Sequence, residues 1–507
     1  MVRVENKITA SGLARRQALY HPIECRGILV DTAKLEEAKA FVNKEIEQQL
    51  EIASKQWGKR LYVGSENSVY ERTKLAVKEG RLSEDIRPLI IKLQADKEFN
   101  IRSAEKFLLF LKEVGYKVPK VTKKDKDGEY SSEESTSELA LRQLIRENQF
   151  KYPQGDAALI SVLNVRGLLT LKSRYLNARL FPRGDSQVFL SSYNAGSGTL
   201  TGRRSSKKNV FGYGGNAQNI PKRSATAKLF RECLISRPKT IFLSVDQISA
   251  EDWPVSALAD NTNALAELRA GTDRHTKLAA FIFNIAINSK TTSEWEESIE
   301  RFLGKKTRHA GNYGMQEKRM HDSLMQEGKY ISVELCKSML ERFHAHEPSI
   351  KGIFHKYVES CLSNARTLRT PFGRERQFLG LRPNSKNGNL LNEAYSYIPQ
   401  SVVGDNTGFA VEELQLNPEN SSWILQEGHD SIVQEVEYDG ANINKLCVAL
   451  ERTVQAFDRP ITFHNGIMVN IPVEAELGFN FNKNVKIKTL DAKGIGEALQ
   501  ELSKMAV

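Results

Sequence analysis

Apolar residues recur every three to four positions through TAKLEEAKAFVNKEIEQQLEIASKQ, residues 32–56, behind a Thr or Asp able to cap the start, and this predicts a long amphipathic helix. A second helical stretch is predicted over 103–114, and the pattern returns near 137–149 and over 157–176. Between them GYKVPKVTKKDKDGEYSSEEST, residues 115–136, is polar, charged and rich in turn residues, which predicts an exposed loop or hairpin at a subdomain tip. From about 185 the texture changes: residues 194–223 (NAGSGTLTGRRSSKKNVFGYGGNAQNIPKR) are rich in Gly, Ser, Asn and cations and read as a long surface loop. KTIFLSVD (239–246) predicts a buried strand ending in a carboxylate, followed by a helix over about 250–260. Residues 272–350 are largely helical in pattern, as are 388–414. WILQEGHDSIVQEV then sets two short apolar runs about a tight G-H-D turn, predicting a hairpin with His429 and Asp430 at or beside the turn.

At 507 residues the chain is too long for one core of ordinary size, so several subdomains around a shared cleft are expected. With 40% hydrophobic and 27% charged residues, 33 Gly and 15 Pro, the composition is that of a soluble globular protein that needs no cofactor as scaffold, and it excludes a disordered chain. Lys and Arg outnumber Asp and Glu by 73 to 62, a formal net charge of +11. That favours a polyanionic partner, although basicity serves nucleic acid, an anionic membrane surface and simple solubility alike. The five cysteines (Cys25, Cys233, Cys336, Cys361, Cys447) are far apart, without a C-x-x-C pair or a His at zinc-ligand spacing, and read as reduced, mostly buried thiols. No apolar run approaches the roughly 20 residues of a membrane span, and MVRVENKITASGLARRQALYH lacks the apolar core of a signal peptide. An intracellular protein without a membrane partner is the expectation.

A carboxylate ending an apolar strand, as Asp246 does, is ordinarily a helix cap or an ion-pair partner, and Asp430 sits where Asp commonly bonds its own turn. RFLGKKTRHAGNYG changes the weighing. Arg301, Lys305, His309 and Tyr313 recur every four residues, and at 100° per residue each step advances only about 40°, so the four form one gently winding stripe. A stripe of these residues is a poor core face: it is either a solvated basic face or a helix whose cations meet successive phosphates while its aromatic end stacks on a base.

Here the chain resembles the family A DNA polymerases, the DNA polymerase I type. LSVDQISAEDWPVSALADN is similar to motif A, in which a metal-binding Asp is followed five residues later by a Glu; Asp246 and Glu251 match. Arg301, Lys305, Tyr313 and Gly314 match R-x3-K-x7-YG of motif B, the fingers helix, and LQEGHDSIVQE resembles motif C, whose His-Asp pair falls on His429 and Asp430. TGRRSS and QNIP (Thr201 to Ser206, Gln218 to Pro221) resemble the primer-template-binding stretch, which implies DNA contacts for Arg203, Gln218 and Asn219. DRHTKLAAFIF resembles the segment after motif A and puts His275 at the incoming phosphates; TPFGRERQ and YIPQSVVGD resemble the run whose Gln, here Gln400, contacts the duplex near the primer end. EFNIRSAEKFLLFL and DGEYSSEESTSEL look like the family's thumb, so the resemblance covers roughly residues 22–485. Two departures stand out: Ser431 follows the motif C Asp where the family usually has a second acid, and His309 stands where it usually has Phe or Tyr. The R-x3-K-x3-H pattern and the short chain are nearest to phage-like members.

The resemblance implies an α+β, multi-subdomain right-hand polymerase: a palm with an antiparallel sheet, helical fingers and a helical thumb. On this chain it implies an N-terminal extension over 1–21, thumb and preceding helical region over 22–180, first palm part over 181–265, fingers over 266–394 and second palm part over 395–507. The implied activity is template-directed extension of a primer 3′-hydroxyl with dNTPs by two Mg²⁺ ions, with Mn²⁺ able to substitute, held by Asp246 and Asp430. Lys305 and Arg301 would neutralise the triphosphate, with Lys305 protonating the departing pyrophosphate; Glu251 would block a ribose 2′-hydroxyl, and Tyr313 would stack at the insertion site. Primer-template DNA and dNTPs are the implied partners, and a separate exonuclease or processivity factor is compatible. A thumb-like pattern beginning near 22 leaves no place for a 3′–5′ exonuclease domain in this chain. Viral or plasmid DNA replication, in the host cytoplasm if phage-encoded, is the expected setting. A single-subunit RNA polymerase and an inactive, polymerase-derived DNA-binding protein remain the alternatives.

Overall fold

The computed structural model describes residues 7–63, 75–81, 83, 98–124, 130–153, 155–196, 199–222, 224–380, 388–417 and 421–505. The chain divides into two compact units. One comprises Met1–Glu36, Asn177–Glu317 and Glu334–Val507; the other comprises Glu37–Leu176 with Lys318–Val333.

The second unit is built on the predicted helices. Thr32–Trp57 forms one continuous helix whose apolar positions Ala38, Val42, Ile46 and Ala53 are buried. Helix Ala104–Glu113 starts where the Ser103 hydroxyl accepts from the Lys106 amide, and it buries Phe107, Phe110 and Leu111; the Trp57 ring meets Phe110 edge-on at 5.1 Å. The polar 115–136 stretch is a hairpin of antiparallel strands Lys120–Lys124 and Tyr130–Glu134, with 125–129 outside the described residues. Helix Glu138–Glu147 buries Ala140, Leu141, Leu144 and Ile145, the three-to-four spacing that its sequence carries. Ala157–Leu171 follows, capped by Asp156.

The first unit is organised by a five-stranded antiparallel sheet. Its strands are β1 (Thr240–Gln247), β2 (Ser422–Glu427), β3 (Ser431–Glu437), β4 (Val473–Gly478) and β5 (Asn484–Ile487), in the order β2-β3-β1-β4-β5. The central strand β1 alternates with period two. Ile241, Leu243 and Val245 join the core with Ile432, Val436, Ala475, Leu477 and residues Leu446, Leu450 and Phe457 of the helix Asn444–Phe457. Phe242, Ser244 and Asp246 consequently face the other side. Register places Ser431 opposite Asp246 on β3 and Glu474 opposite it on β4, so all three side chains share that face. The architecture is α+β.

The helices that matter for the site are α1 (Ala10–Leu19), α2 (His21–Arg26), α3 (Asp252–Leu258), α4 (Arg274–Phe283), α5 (Ile299–Asn312), α6 (Val333–His346) and α7 (Gly388–Leu416). α1 and α2, with strand Ile28–Val30 paired to Ser186–Phe189 and Leu234–Ile235, lie in the first unit. Residues 10–30, expected to straddle a boundary at 22, therefore fall in one unit. The 194–223 stretch is not simply a surface loop: Ser192–Asn194 and Ser205–Lys207 pair as short strands, and Arg204, Ala217 and Ile220 are buried. The thiols depart from expectation as well. Cys233 and Cys336 are buried, Cys361 and Cys447 half-buried, and Cys25 exposed on α2, whose buried position is Ile23.

Candidate active site

The hairpin predicted around G-H-D forms, with His429 and Asp430 between β2 and β3. Gly428 permits the tight turn. A Cβ there would lie 2.2 Å from the Ser431 hydroxyl, and the Gly428 amide donates to the Ser431 carbonyl at 2.7 Å. The turn is stitched to the end of β1, where the Gln247 amide donates to the Asp430 carbonyl at 3.1 Å. Asp246 and Asp430 thus sit at adjacent strand ends. Burial and then the Asp430 charge push the Asp246 carboxyl up to about 7, with Lys222 opposing and Glu474 adding to the rise.

The Asp246 Oδ1 is buried and has no hydrogen-bond partner. A buried acceptor left so carries its full desolvation cost, and a hard divalent cation is the species that would satisfy two carboxylates in this position. Among the described residues, no group of three or more His, Cys, Asp or Glu is placed to hold a metal ion. Two carboxylates completed by substrate oxygens and water fit Mg²⁺, which keeps much of its hydration shell. Ser431, packed over Gly428, adds no acid.

Glu251 precedes α3 and is the hub of a second group. One of its oxygens accepts from Arg203 Nη2, the other from the Tyr313 hydroxyl, and His309 Nε2 lies 3.9 Å away. The His309 and Tyr313 rings meet edge to face at 5.0 Å. Burial and the Glu251 charge hold the Tyr313 phenol far above its ordinary pKa, while partial desolvation of the ring and the neighbouring Lys306, Arg203 and Lys305 cations lower that of the largely exposed His309 against the pull of Glu251. On α5 the predicted stripe divides by exposure: Lys305 and His309 are exposed, Arg301 is half-buried and Tyr313 is buried just past the helix end. Arg301 Nε donates to Asp273 at 2.7 Å. Lys305 lies close enough to His275 and His309 to depress the pKa of both. His275, with a buried and unpartnered Nδ1, is pushed down to about 4, first by burial. It is a neutral imidazole at neutral pH.

The remaining predicted residues are less gathered. Gln218 Nε2 is buried without a partner, and the Asn219 amide donates to Asn216 Oδ1 at 3.1 Å. Their loop is tied to β2 by Gln426 Nε2, which donates to the Ala217 carbonyl at 2.5 Å. Gln400 is half-buried on α7, directly after Pro399, and enters none of the hydrogen bonds above. His429 Nδ1 is buried and unpartnered, and burial followed by Arg203 lowers its pKa.

Sequence reasoning missed the charged layer beneath α5. Arg308 Nη1 and Arg274 Nη2 donate to the same Glu347 oxygen at 2.6 and 2.8 Å, Arg308 Nη2 donates to the Arg274 carbonyl at 3.1 Å, and Arg274 also reaches Asp252 at 3.3 Å. α4 and α5 approach closely because position 304 is Gly: a Cβ there would lie 2.8 Å from the His275 carbonyl oxygen. The layer's residues carried no distinguishing signal in the sequence: Arg308 lies one heptad from Arg301 and beside Lys305, where it reads as one more cation of a basic helix.

A family model for DNA polymerase family A matches residues 72–483. The thermostable DNA polymerase I of Thermus filiformis is 26% identical over 326 residues, covering 62% of this chain and 35% of the relative. That of Thermus aquaticus is 24% identical over 391 residues, 75% of this chain and 41% of the relative; the chain spans well under half of these relatives. Among solved structures, the POL domain of Pol1 from M. smegmatis, in complex with DNA primer-template and dNTP, superposes with a TM-score of 0.66 at 20% identity, covering 93% of this chain and 70% of that one.

Proposed function

The chain belongs to DNA polymerase family A, and on that premise we propose that it is a template-directed DNA polymerase that extends a primer 3′-hydroxyl with dNTPs. The observation that carries the proposal is the Asp246–Asp430 pair at adjacent strand ends, with one buried carboxylate oxygen unpartnered and its proton affinity raised. In this reading Asp246 and Asp430 hold two Mg²⁺ ions, or Mn²⁺ in their place. When bound, such ions lower the proton affinity of an attacking hydroxyl and neutralise a leaving pyrophosphate.

The protein's own groups do the rest. Arg301 and Lys305, one turn apart on α5, meet the triphosphate, and Lys305 supplies the proton to the departing pyrophosphate. His275, neutral at working pH, hydrogen-bonds phosphate without adding charge. Glu251, clamped by Arg203 and Tyr313, presents its carboxylate to the sugar as a steric gate, beside His309. Tyr313, buried here with its hydroxyl on Glu251, would stack at the insertion site once that bond opens, and Arg203, Gln218, Asn219, Gln400 and His429 contact primer-template DNA. The palm is assigned to 181–265 and 395–507, the fingers to 266–394, and the thumb with its preceding helices to 22–180. A phage or plasmid replication role, and extension without 3′–5′ proofreading by these 507 residues, rest on the sequence resemblance alone. No helix of the described residues is long and apolar enough to cross a membrane.

The deciding experiment is magnesium-dependent extension of a primed single strand, run with dNTPs and with rNTPs. Extension by dNTPs that disappears in Asp430→Asn, while DNA binding survives, is expected. Unchanged extension by that variant would overturn the assignment, and a preference for rNTPs would move the chain to the RNA polymerase alternative. A 3′-mismatched primer held with Mg²⁺ and no nucleotides should stay intact.

A further inference from the structure

Beneath the catalytic turn lies a buried ionic layer that includes residues outside the family match. Glu427 ends β2, three residues before Asp430, and is fully buried. Its Oε1 accepts from Arg204 Nε at 2.8 Å and lies 2.6 Å from Arg204 Nη2 in the ion pair; its Oε2 accepts from the hydroxyl of Tyr20, between α1 and α2. Arg204, 1% exposed, also donates to the Gly202 carbonyl at 3.2 Å and to the Gly404 carbonyl at 2.5 Å. One guanidinium therefore gathers the 199–204 loop, α7 and the β2–β3 turn.

A second tier continues from α1. Arg16, also 1% exposed, binds Glu412 and reaches Asp405 at 3.3 Å, which Arg374 grips with bonds of 2.8 and 2.7 Å. Arg16, Arg204 and Arg374 thus face Asp405, Glu412 and Glu427, with the more exposed Arg15 reaching Glu412 at 3.5 Å from the rim, so that no buried carboxylate is left uncompensated. Space for it is made by Gly408 on α7, where a Cβ would come within 2.7 Å of Arg16 Nη1 and 2.9 Å of Arg204 Nη1.

The connections out of this layer lead to the site. Arg204 is peptide-bonded to Arg203, whose guanidinium holds Glu251, and Glu427 leads through Gly428 and His429 to Asp430. Resting on the polymerase reading above, we propose that Tyr20, Arg204 and Glu427 are positioning residues that set the catalytic turn and the Glu251 clamp together, so that α1 and α2 are part of the active-site scaffold. Tyr20 holds one oxygen of the Glu427 carboxylate and Arg204 ties the other to the DNA-binding loop, so a shift of the turn that moved Glu427 would strain both bonds.

Tyr20→Phe removes a single hydroxyl at constant ring volume. It should lower kcat for primer extension about tenfold, since misplacing reacting groups by a fraction of an ångström costs rate before affinity. The dNTP KM and primer-template Kd should change by less than about twofold and the melting temperature by little. The activity-independent readout is amide hydrogen exchange, which should accelerate at Gly428–Ser431, whose Gly428 amide bond reports the turn directly, with β1 unchanged. A second variant, Arg204→Met with Glu427→Gln, deletes both charges together and should keep the fold while kcat stays depressed. Wild-type kcat in either variant, or turn exchange unaltered in Tyr20→Phe, would overturn the proposal. Should the wild-type protein extend no primer while turn exchange still responds to Tyr20, the positioning coupling stands and the polymerase reading fails.

Discussion

Replacing Asp246 with Asn should stabilise the metal-free protein at alkaline pH while destroying activity. The Asp246 carboxyl, ordinarily near 3.8, is held at about 7 in the native state. Between those values the folded protein keeps a proton that the unfolded chain has released. Stability therefore falls as pH rises through the window: the favourable contribution is complete below about pH 4 and gone above about 7. A shift of roughly three units at about 1.4 kcal/mol each is a penalty of roughly 4 kcal/mol. Asn carries no such penalty but leaves an amide donor unsatisfied, at about 1–3 kcal/mol. The net at pH 8 is a gain of about 1–3 kcal/mol for the variant, by those same terms. At pH 4.5 most of the penalty has not developed, and the variant should be equal in stability or weaker. Urea unfolding followed by circular dichroism in EDTA, at both pH values, measures the difference, and Mg²⁺ at pH 8 should narrow it by binding the wild type alone. A stability difference of the same sign and size at both pH values would refute the raised proton affinity and with it the argument for an ion at this carboxylate.

Glu251→Ala should raise rNTP incorporation relative to dNTP in single-nucleotide extension; an unaltered ratio would move the gate to another residue, such as His309. Duplex affinity should fall steeply with salt, because Arg203, Lys207, Lys208 and Lys222 cluster on one segment, Arg223 lying outside the described residues. Three to four neutralised phosphates correspond to a log–log slope of roughly −3, and a flat titration would count against a phosphate-tracking groove. Gly304→Ala, which drives a methyl into the His275 carbonyl, should raise the dNTP KM by displacing α5 from α4, an effect readable in steady-state extension.

Much of the secondary structure was legible because it rests on local periodicity. The 32–56 pattern became the helix Thr32–Trp57, and two apolar runs about G-H-D became β2 and β3 with Asp430 between them. The four-residue spacing placed Arg301, Lys305 and His309 on one helix. What escaped was long-range charge pairing. Arg204 looked like one more cation in a Gly-rich loop, yet its carboxylate partner lies 223 positions away; Arg16 finds Glu412 396 positions on. No local pattern distinguishes a cation that will meet a buried acid from one that will meet water. Exposure of the Arg–Lys–His–Tyr stripe was similarly opaque, since Tyr313 is buried and its hydroxyl bonds a carboxylate 62 positions earlier in the chain, just ahead of α3.

The close seating of α5 on α4 also bears on how a nucleotide is measured. Gly304 removes the space for sliding, and the Arg274–Glu347–Arg308 bonds fasten the two helices from below, so the backbones that carry Arg301, Lys305 and His275 shift together. On the proposed function, the groups that meet the triphosphate from α5 and from α4 would therefore reach it as one body, because a shift of either helix carries the other with it.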